Sequence, residues 1–300
     1  MNPADSLTLL SFPQATQQAT ALADVLNAQY ETIELHHFPD MESRVRIPPI
    51  NTDKVAIFLS LDHPNPKLIE LILAAATIRE SGPHSIILVA PYMCYMRQDI
   101  AFQEGDAVSQ KIIGRLLAEH IDTVITVDPH LHRTPVLQQA IPVKHAIAVS
   151  SASLQSEFLS QQFDDAILIG PDGESEQWVS KIAQQAGMQY LVASKIRYGD
   201  HEVRIELPDA DLHNRDIVLI DDIASTGKTL STCTGLIRKQ QVKSVNALLT
   251  HALFTEQTEV MLGNAGINNI WSTDSVIHSS NRVSLTPLLA EAISSLLTKD

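Results

Sequence analysis

Short apolar runs rich in β-branched residues punctuate the chain at Val55-Ala56-Ile57-Phe58-Leu59, Ile86-Ile87-Leu88-Val89, Val124-Ile125-Thr126-Val127, Ala166-Ile167-Leu168-Ile169 and Ile217-Val218-Leu219-Ile220. They are continuous rather than alternating, the pattern of strands covered on both faces. Between them, apolar residues recur at helical spacing. Leu68, Leu71, Ile72 and Ala75 define one predicted face, Ile112, Ile113, Leu116 and Leu117 a second, and Trp178, Val179, Ile182 and Ala186 a third. Strand then helix, repeated, predicts parallel sheets with helical crossovers, because parallel neighbours need a long connection. The first set of strands ends near Pro142 and a fresh set follows the polar Ser150-Ser151-Ala152-Ser153. We therefore expect two α/β domains in tandem, at 1–146 and 147–283, although no repeat of letters accompanies them. A closing amphipathic helix is expected within 284–300. Its stripe comprises Leu285, Leu288, Leu289, Ala292, Ile293, Leu296 and Leu297, and Pro287 suits a first helical turn. The stripe reads as packing surface, with the N-terminal domain as its candidate partner.

Composition narrows the function classes. Hydrophobic residues make up 44% of the 300 and charged residues 19%, which excludes a disordered chain. Thirty-five acidic against 21 basic residues give a net charge of −14, which repels phosphate backbones and anionic lipid. Nucleic-acid and membrane partners are accordingly not expected. The apolar stretch from Leu68 to Ile78 is broken by Glu70 and too short for a bilayer, and a basic-then-apolar leader pattern is absent; a cytoplasmic protein is expected. Cys94 and Cys233 have no metal-type spacing and read as buried, inert thiols.

The strongest chemical signal follows the last of the runs: Asp221-Asp222-Ile223-Ala224-Ser225-Thr226-Gly227-Lys228-Thr229-Leu230. In open α/β sheets ligands bind at the carboxyl ends of strands, where this acidic pair falls. The turn leads into a helix marked by Leu230, Cys233, Leu236 and Ile237. Free N–H groups at the helix start, with the hydroxyls of Ser225, Thr226 and Thr229, suit a phosphate, and Gly227 allows close backbone approach. Carboxylates are poor neighbours for phosphate and good acceptors for a diol. The combination fits a phosphorylated sugar, with ribose hydroxyls on Asp221 and Asp222. Gly227-Lys228-Thr229 does not complete a P-loop, since that motif needs a glycine where Asp222 stands.

This loop resembles the phosphoribosyl-pyrophosphate (PRPP) motif of the type I phosphoribosyltransferase fold, shared by enzymes that consume PRPP and the one that makes it. Further strings resemble the ribose-phosphate diphosphokinase family. Phe38-Pro39-Asp40-Met41-Glu42 is similar to its adenine loop, with Phe38 stacking on the base and Asp40 and Glu42 accepting hydrogen bonds; alone it would read as a solvated loop with a core phenylalanine. Pro91-Tyr92-Met93-Cys94-Tyr95-Met96-Arg97-Gln98-Asp99 is similar to a nucleotide-binding string in which Arg97 and Gln98 reach ATP, and Ile100 replaces the family's usual basic residue. Asp128-Pro129-His130 follows another strand, and by resemblance His130 approaches the ATP-bound metal, with Asp128 orienting it or joining the metal environment. His132 reads as a structural histidine, and no second His or Cys set suggests zinc.

Pro171-Asp172-Gly173-Glu174-Ser175 keeps the carboxylate suited to magnesium at Asp172, while Glu174 and Ser175 stand where the family commonly has two glycines. Lys195-Ile196-Arg197 resembles the family's cationic pair at the base of a flexible catalytic loop. In an extended segment residues two apart point to one side, so Lys195 and Arg197 would converge on a transferring phosphoryl group. The polar stretch from Tyr198 to Arg215 has the length of a hairpin.

The resemblance implies two tandem phosphoribosyltransferase-like domains, each a mainly parallel sheet flanked by helices. It implies transfer of the β,γ-diphosphoryl group of Mg2+-bound ATP to the C1 hydroxyl of ribose 5-phosphate, and a homo-oligomer. Ribose 5-phosphate falls to Asp221, Asp222, Ser225, Thr226, Gly227, Lys228 and Thr229, with Arg197; the metal falls to His130 and Asp172. Two alternatives stay open: a phosphoribosyltransferase, which has no use for the Phe38 and Arg97 strings, and a catalytically silent regulatory subunit.

Overall fold

The apolar runs become central strands of two six-stranded sheets. The computed structural model describes residues 7–82, 84–198 and 202–298, and the backbone alone for 195–198 and 202–204. The chain divides into two units, one running to Val149 and resuming at Thr286, the other Ser150–Leu285.

The first unit contains β1 (Leu7–Ser11), α1 (Thr16–Leu26), β2 (Gln29–Thr32), β3 (Glu34–His37), β4 (Ser43–Arg46), β5 (Lys54–Phe58), α2 (Pro64–Ser81), β6 (Ser85–Ala90), α3 (Ser109–Ala118), β7 (Thr123–Val127), α4 (Leu137–Ala140) and β8 (His145–Val149). Its sheet has the order β2-β1-β5-β6-β7-β8, with every pairing parallel. β3 and β4 form a separate antiparallel ribbon.

The second unit contains α5 (Ala152–Gln162), β9 (Ala166–Gly170), α6 (Glu176–Ala186), β10 (Gln189–Val192), β11 (Ser194–Tyr198), β12 (Glu202–Glu206), β13 (Asp216–Ala224), α7 (Lys228–Arg238), β14 (Ser244–Ala252), α8 (Glu256–Ala265), β15 (Asn269–Thr273) and β16 (Asn281–Val283). Its parallel sheet, β10-β9-β13-β14-β15-β16, repeats the order of the first, and the β11–β12 ribbon enters at the same point as β3–β4. The continuous run in β13 has a direct cause. Ile217 and Leu219 pack with Leu230, Cys233, Ile237 and Leu262 on one side, while Val218 and Ile220 pack with Trp178, Val179 and Ile182 on the other. Both faces are covered, so neither set alternates with polar residues.

The closing helix, α9 (Thr286–Leu297), contacts α1, β7 and β8. Leu289, Ala290, Ile293, Leu296 and Leu297 are buried there, and burial is worth about 1.5–3 kcal/mol for each large aliphatic side chain.

Two local expectations change. The buried face of α3 consists of Gln110, Gly114 and Leu117, while Ile112 is 49% exposed and Ile113 and Leu116 are half-buried. The helix docks through its glycine: a Cβ on Gly114 would lie 1.8 Å from the Ala140 carbonyl oxygen, so α3 turns that side inward. In addition, β13 does not stop at Ile220. It runs through both aspartates to Ala224 because β14 is equally long and pairs with it at Asp221↔Leu249, Ile223↔His251 and Ala224↔Ala252.

Candidate active site

In the second unit, the carboxyl end of β13 presents the acidic pair. Asp222 is buried and Asp221 half-buried, with the Asp222 N–H donating to Asp221 Oδ1 at 3.0 Å. Burial, and then the negative charges of Asp222 and Asp172, push the Asp221 carboxyl well above the ordinary carboxylate range. The same Asp172 and Asp221 charges, after burial, hold the Cys233 thiol up at about 12. Three acids thus share one electrostatic neighbourhood.

The strand hands over to α7 through Ser225 and Thr226, both exposed, and the Leu253 N–H fixes the exit by donating to Ala224 O at 2.9 Å. Gly227 is the N-cap, with φ +68°; no side chain caps the helix, and no acid lies in its first turn. The leading N–H groups of a helix have no acceptor within it, and its positive dipole end favours an anion. Lys228 is exposed and Thr229 half-buried beside them. The structure adds a packing reason for glycine here. A Cβ on it would meet Thr258 Cγ2 at 2.8 Å and Met261 Cε at 3.0 Å, so the residue serves the left-handed turn and the packing of α8.

Asp172 follows β9 and is buried. Its Oδ1 accepts from the N–H groups of Glu174 (3.1 Å) and Ser175 (3.2 Å), while the Ser175 hydroxyl donates to Asp172 O at 2.5 Å. This reciprocal cap explains a serine in place of glycine at 175: its side chain closes the turn that leads into α6. Glu174 is exposed. Lys195 and Arg197 fall on β11, in register with Ile205 and Val203 of β12. Their side chains lie outside the described residues.

In the first unit, Phe38, Asp40 and Glu42 form the tip of the β3–β4 ribbon. Phe38 is 42% exposed, not a core residue, and meets His36 edge to face with centroids 5.0 Å apart. The Phe38 N–H donates to Glu42 O at 2.8 Å and the Glu42 N–H to Asp40 Oδ1 at 3.2 Å, which shapes the tip. Arg97 is exposed beyond the buried Met93, Cys94 and Met96, and Gln98 Nε2 donates to Ile100 O at 3.2 Å. Asp128 is buried, with φ +36°, at the end of β7, and its N–H donates to Val149 O at 2.9 Å. His130 and His132 are half-buried with their Nε2 atoms 2.8 Å apart, so His132 is part of the same cluster.

Sequence reasoning missed two residues that hold these segments. Buried Gln110 donates to Met96 O at 3.3 Å and accepts from Thr134 Oγ1 at 3.0 Å, steadying the approach to Arg97. Buried Glu70 accepts from the β3–β4 ribbon. The only signal for Glu70 was its intrusion into an apolar stretch.

Comparison with known proteins fits this geometry. Residues 7–120 match the family model for the N-terminal domain of ribose phosphate pyrophosphokinase, and residues 140–259 match the phosphoribosyl transferase domain. A ribose-phosphate pyrophosphokinase of Methanopyrus kandleri is 31% identical over 294 residues, covering 97% of this chain and 99% of its own length. The chain belongs to the ribose-phosphate pyrophosphokinase family. Ribose-phosphate pyrophosphokinase 2 of Archaeoglobus fulgidus is likewise 31% identical, over 96% of this chain and all of its own. The crystal structure of phosphoribosylpyrophosphate synthetase from Mycobacterium smegmatis shares the fold, with a TM-score of 0.84 at 20% identity over 99% of this chain and 100% of its own. Within the pyrophosphokinase frame, the Phe38 and Arg97 segments fall in the N-terminal model and the Asp221–Thr229 loop in the transferase model; Asp128 and His130 lie between the two.

Proposed function

We propose that this ribose-phosphate pyrophosphokinase forms PRPP and AMP from ATP and ribose 5-phosphate. The observation that carries the reading is the end of β13, where an acidic pair stands beside a helix start without a side-chain cap. Asp221 and Asp222 accept from the ribose diol. The loop 225–229, comprising Ser225, Thr226, Gly227, Lys228 and Thr229, holds the 5-phosphate through N–H groups, hydroxyls and the Lys228 ammonium.

ATP is assigned to Phe38 for base stacking, to Asp40 and Glu42 for polar contacts, and to Arg97 and Gln98 for phosphate and base. The C1 oxygen of ribose 5-phosphate bonds to the β-phosphorus. The bond from that phosphorus to the α,β-bridging oxygen breaks, AMP leaves with the electron pair, and the hydroxyl proton is released. Lys195 and Arg197 are assigned to the charge spread over the moving diphosphoryl group, and Arg197 is also assigned to ribose 5-phosphate. Catalysis then rests on alignment and cationic stabilisation.

The acids of the second unit suit a hard divalent cation, since the mutual repulsion that raises Asp221 is relieved by positive charge. Asp172 is the proposed magnesium ligand in this unit, and His130 with Asp128 are the candidates in the first. Magnesium, when bound, supplies charge neutralisation of the polyphosphate. A homo-oligomer in the cytoplasm completes the reading; exposed Ile69 and Leu73, one turn apart on α2, provide apolar surface for assembly. Among the described residues no helix is long and apolar enough to cross a membrane.

The test is AMP and PRPP formation from ATP, dependent on both ribose 5-phosphate and magnesium. Folded protein that produces neither would overturn the assignment, and consumption of PRPP with a nucleobase acceptor would point to a transferase.

A further inference from the structure

The β3–β4 ribbon stands outside the six-stranded sheet, and a two-stranded ribbon is marginal on its own. Its apolar anchorage is thin. Leu35 and Val45 are half-buried, and most of the other ribbon residues are exposed. Leu35 pairs with Val45, and His37 with Ser43, the last cross-strand pair before the tip. Side chains alternate along a strand, so these four residues share one face, while His36 and Phe38 lie on the other.

Glu70 of α2 meets that shared face. Its side chain is 4% exposed, and a single oxygen, Oε1, lies 2.7 Å from His37 Nε2 and accepts from Ser43 Oγ at 2.9 Å. One buried carboxylate oxygen therefore grips both strands at the mouth of the tip. A second ion pair on the ribbon, Arg46 with Glu34 at 3.2 Å, has both side chains more than half exposed, a setting in which ion pairs contribute little.

We propose that Glu70 is a positioning residue for nucleotide recognition, holding the tip that carries Phe38, Asp40 and Glu42 in the orientation that receives ATP. The proposal rests on the assignment of ATP to that tip. The clamp fixes the ribbon at its far end, where Leu35 and Val45 do not reach, and its three residues all belong to the first unit, whereas the sugar-phosphate loop belongs to the second. Its loss separates the two substrates kinetically. Losing ATP orientation raises the KM for ATP, while that for ribose 5-phosphate stays near its original value.

The experiment compares Glu70→Ala, Glu70→Gln and the exposed-pair control Glu34→Gln in the full chain, measuring kcat, both KM values and ATP affinity by calorimetry. Circular dichroism verifies folding. Glu70→Ala should raise the KM and Kd for ATP about tenfold while the KM for ribose 5-phosphate stays within about twofold. Glu70→Gln keeps an acceptor oxygen at the same reach and should restore the ATP constants to within about threefold of wild type. Glu34→Gln should match wild type. If Glu70→Ala does not fold, the His37→Ala/Ser43→Ala double variant removes the same two donors from the ribbon side and is judged by the same criteria. Unchanged ATP constants, a parallel rise for both substrates, or no rescue by glutamine would overturn the clamp. An inactive wild-type protein would instead overturn the functional assignment, so the two failures are distinct.

Discussion

At Asp221, burial and two neighbouring carboxylates act in the same direction, each favouring the protonated form. A carboxyl whose pKa is higher in the folded chain than in the unfolded one binds its proton more tightly when folded. Its stabilising contribution is complete below the unfolded value of about 4 and is lost as pH rises through the folded value. Metal-free protein should therefore lose stability as pH rises above the unfolded value of about 4. Asp221→Asn removes the charge and should weaken that dependence, raising the melting temperature at neutral pH by about 3 °C for each kcal/mol of repulsion relieved. Calorimetry of wild type and variant at acidic and at neutral pH checks it, and parallel curves would contradict the repulsion. The acidic pair stood out in the sequence because two carboxylates directly after an apolar run break its pattern. Glu70 did not, since an acid inside a helical apolar run looks like an exposed position until the ribbon folds over it. The two cysteines are buried, as expected, and burial pushes both thiols up to about 12.

Among elements, the central strands were legible because a sheet covered on both faces writes itself as an unbroken apolar run. The β3–β4 ribbon and the edge strand β2 were not. They are short and none of their residues is fully buried, so they carry no such signature. The face of α3 was misread for a related reason: periodicity counts large apolar residues, whereas this helix docks through Gly114. Gly114→Ala would press a Cβ against backbone at 1.8 Å, which no side-chain rotation relieves. A loss of about 3 kcal/mol in urea unfolding is expected. Gly235 is the contrasting case. It lies inside α7, and a methyl group placed on its Cα would meet nothing within 4 Å, so Gly235→Ala should stabilise by about 0.5–1 kcal/mol. Equal effects at both glycines would refute the packing argument.

Over the whole molecule, one topology is used twice for different ends. The loop after β5 corresponds in chain order to the loop after β13, and both helices that follow start from a left-handed cap, His63 at φ +48° and Gly227 at φ +68°. The first unit keeps the bend without the donors. Pro64 and Pro66 remove N–H groups at the head of α2, and Lys67 Nζ binds Ser60 O at 2.9 Å and Asp62 at 2.6 Å. Calorimetric titration with ribose 5-phosphate should accordingly give one site per chain; two equivalent sites would show that the first loop still holds a phosphate. The tandem arrangement was legible from the recurrence of strand and helix, but this divergence was not, because it depends on which loops are topologically equivalent.

The place of α9 bears on how the protein is made. Leu289, Ile293, Leu296 and Leu297 fill the first unit's core, yet they are separated from the rest of it by the whole of the second unit. During translation, the half synthesised earliest must wait with an open apolar surface until residue 297 clears the ribosome. The domain begun first is finished last.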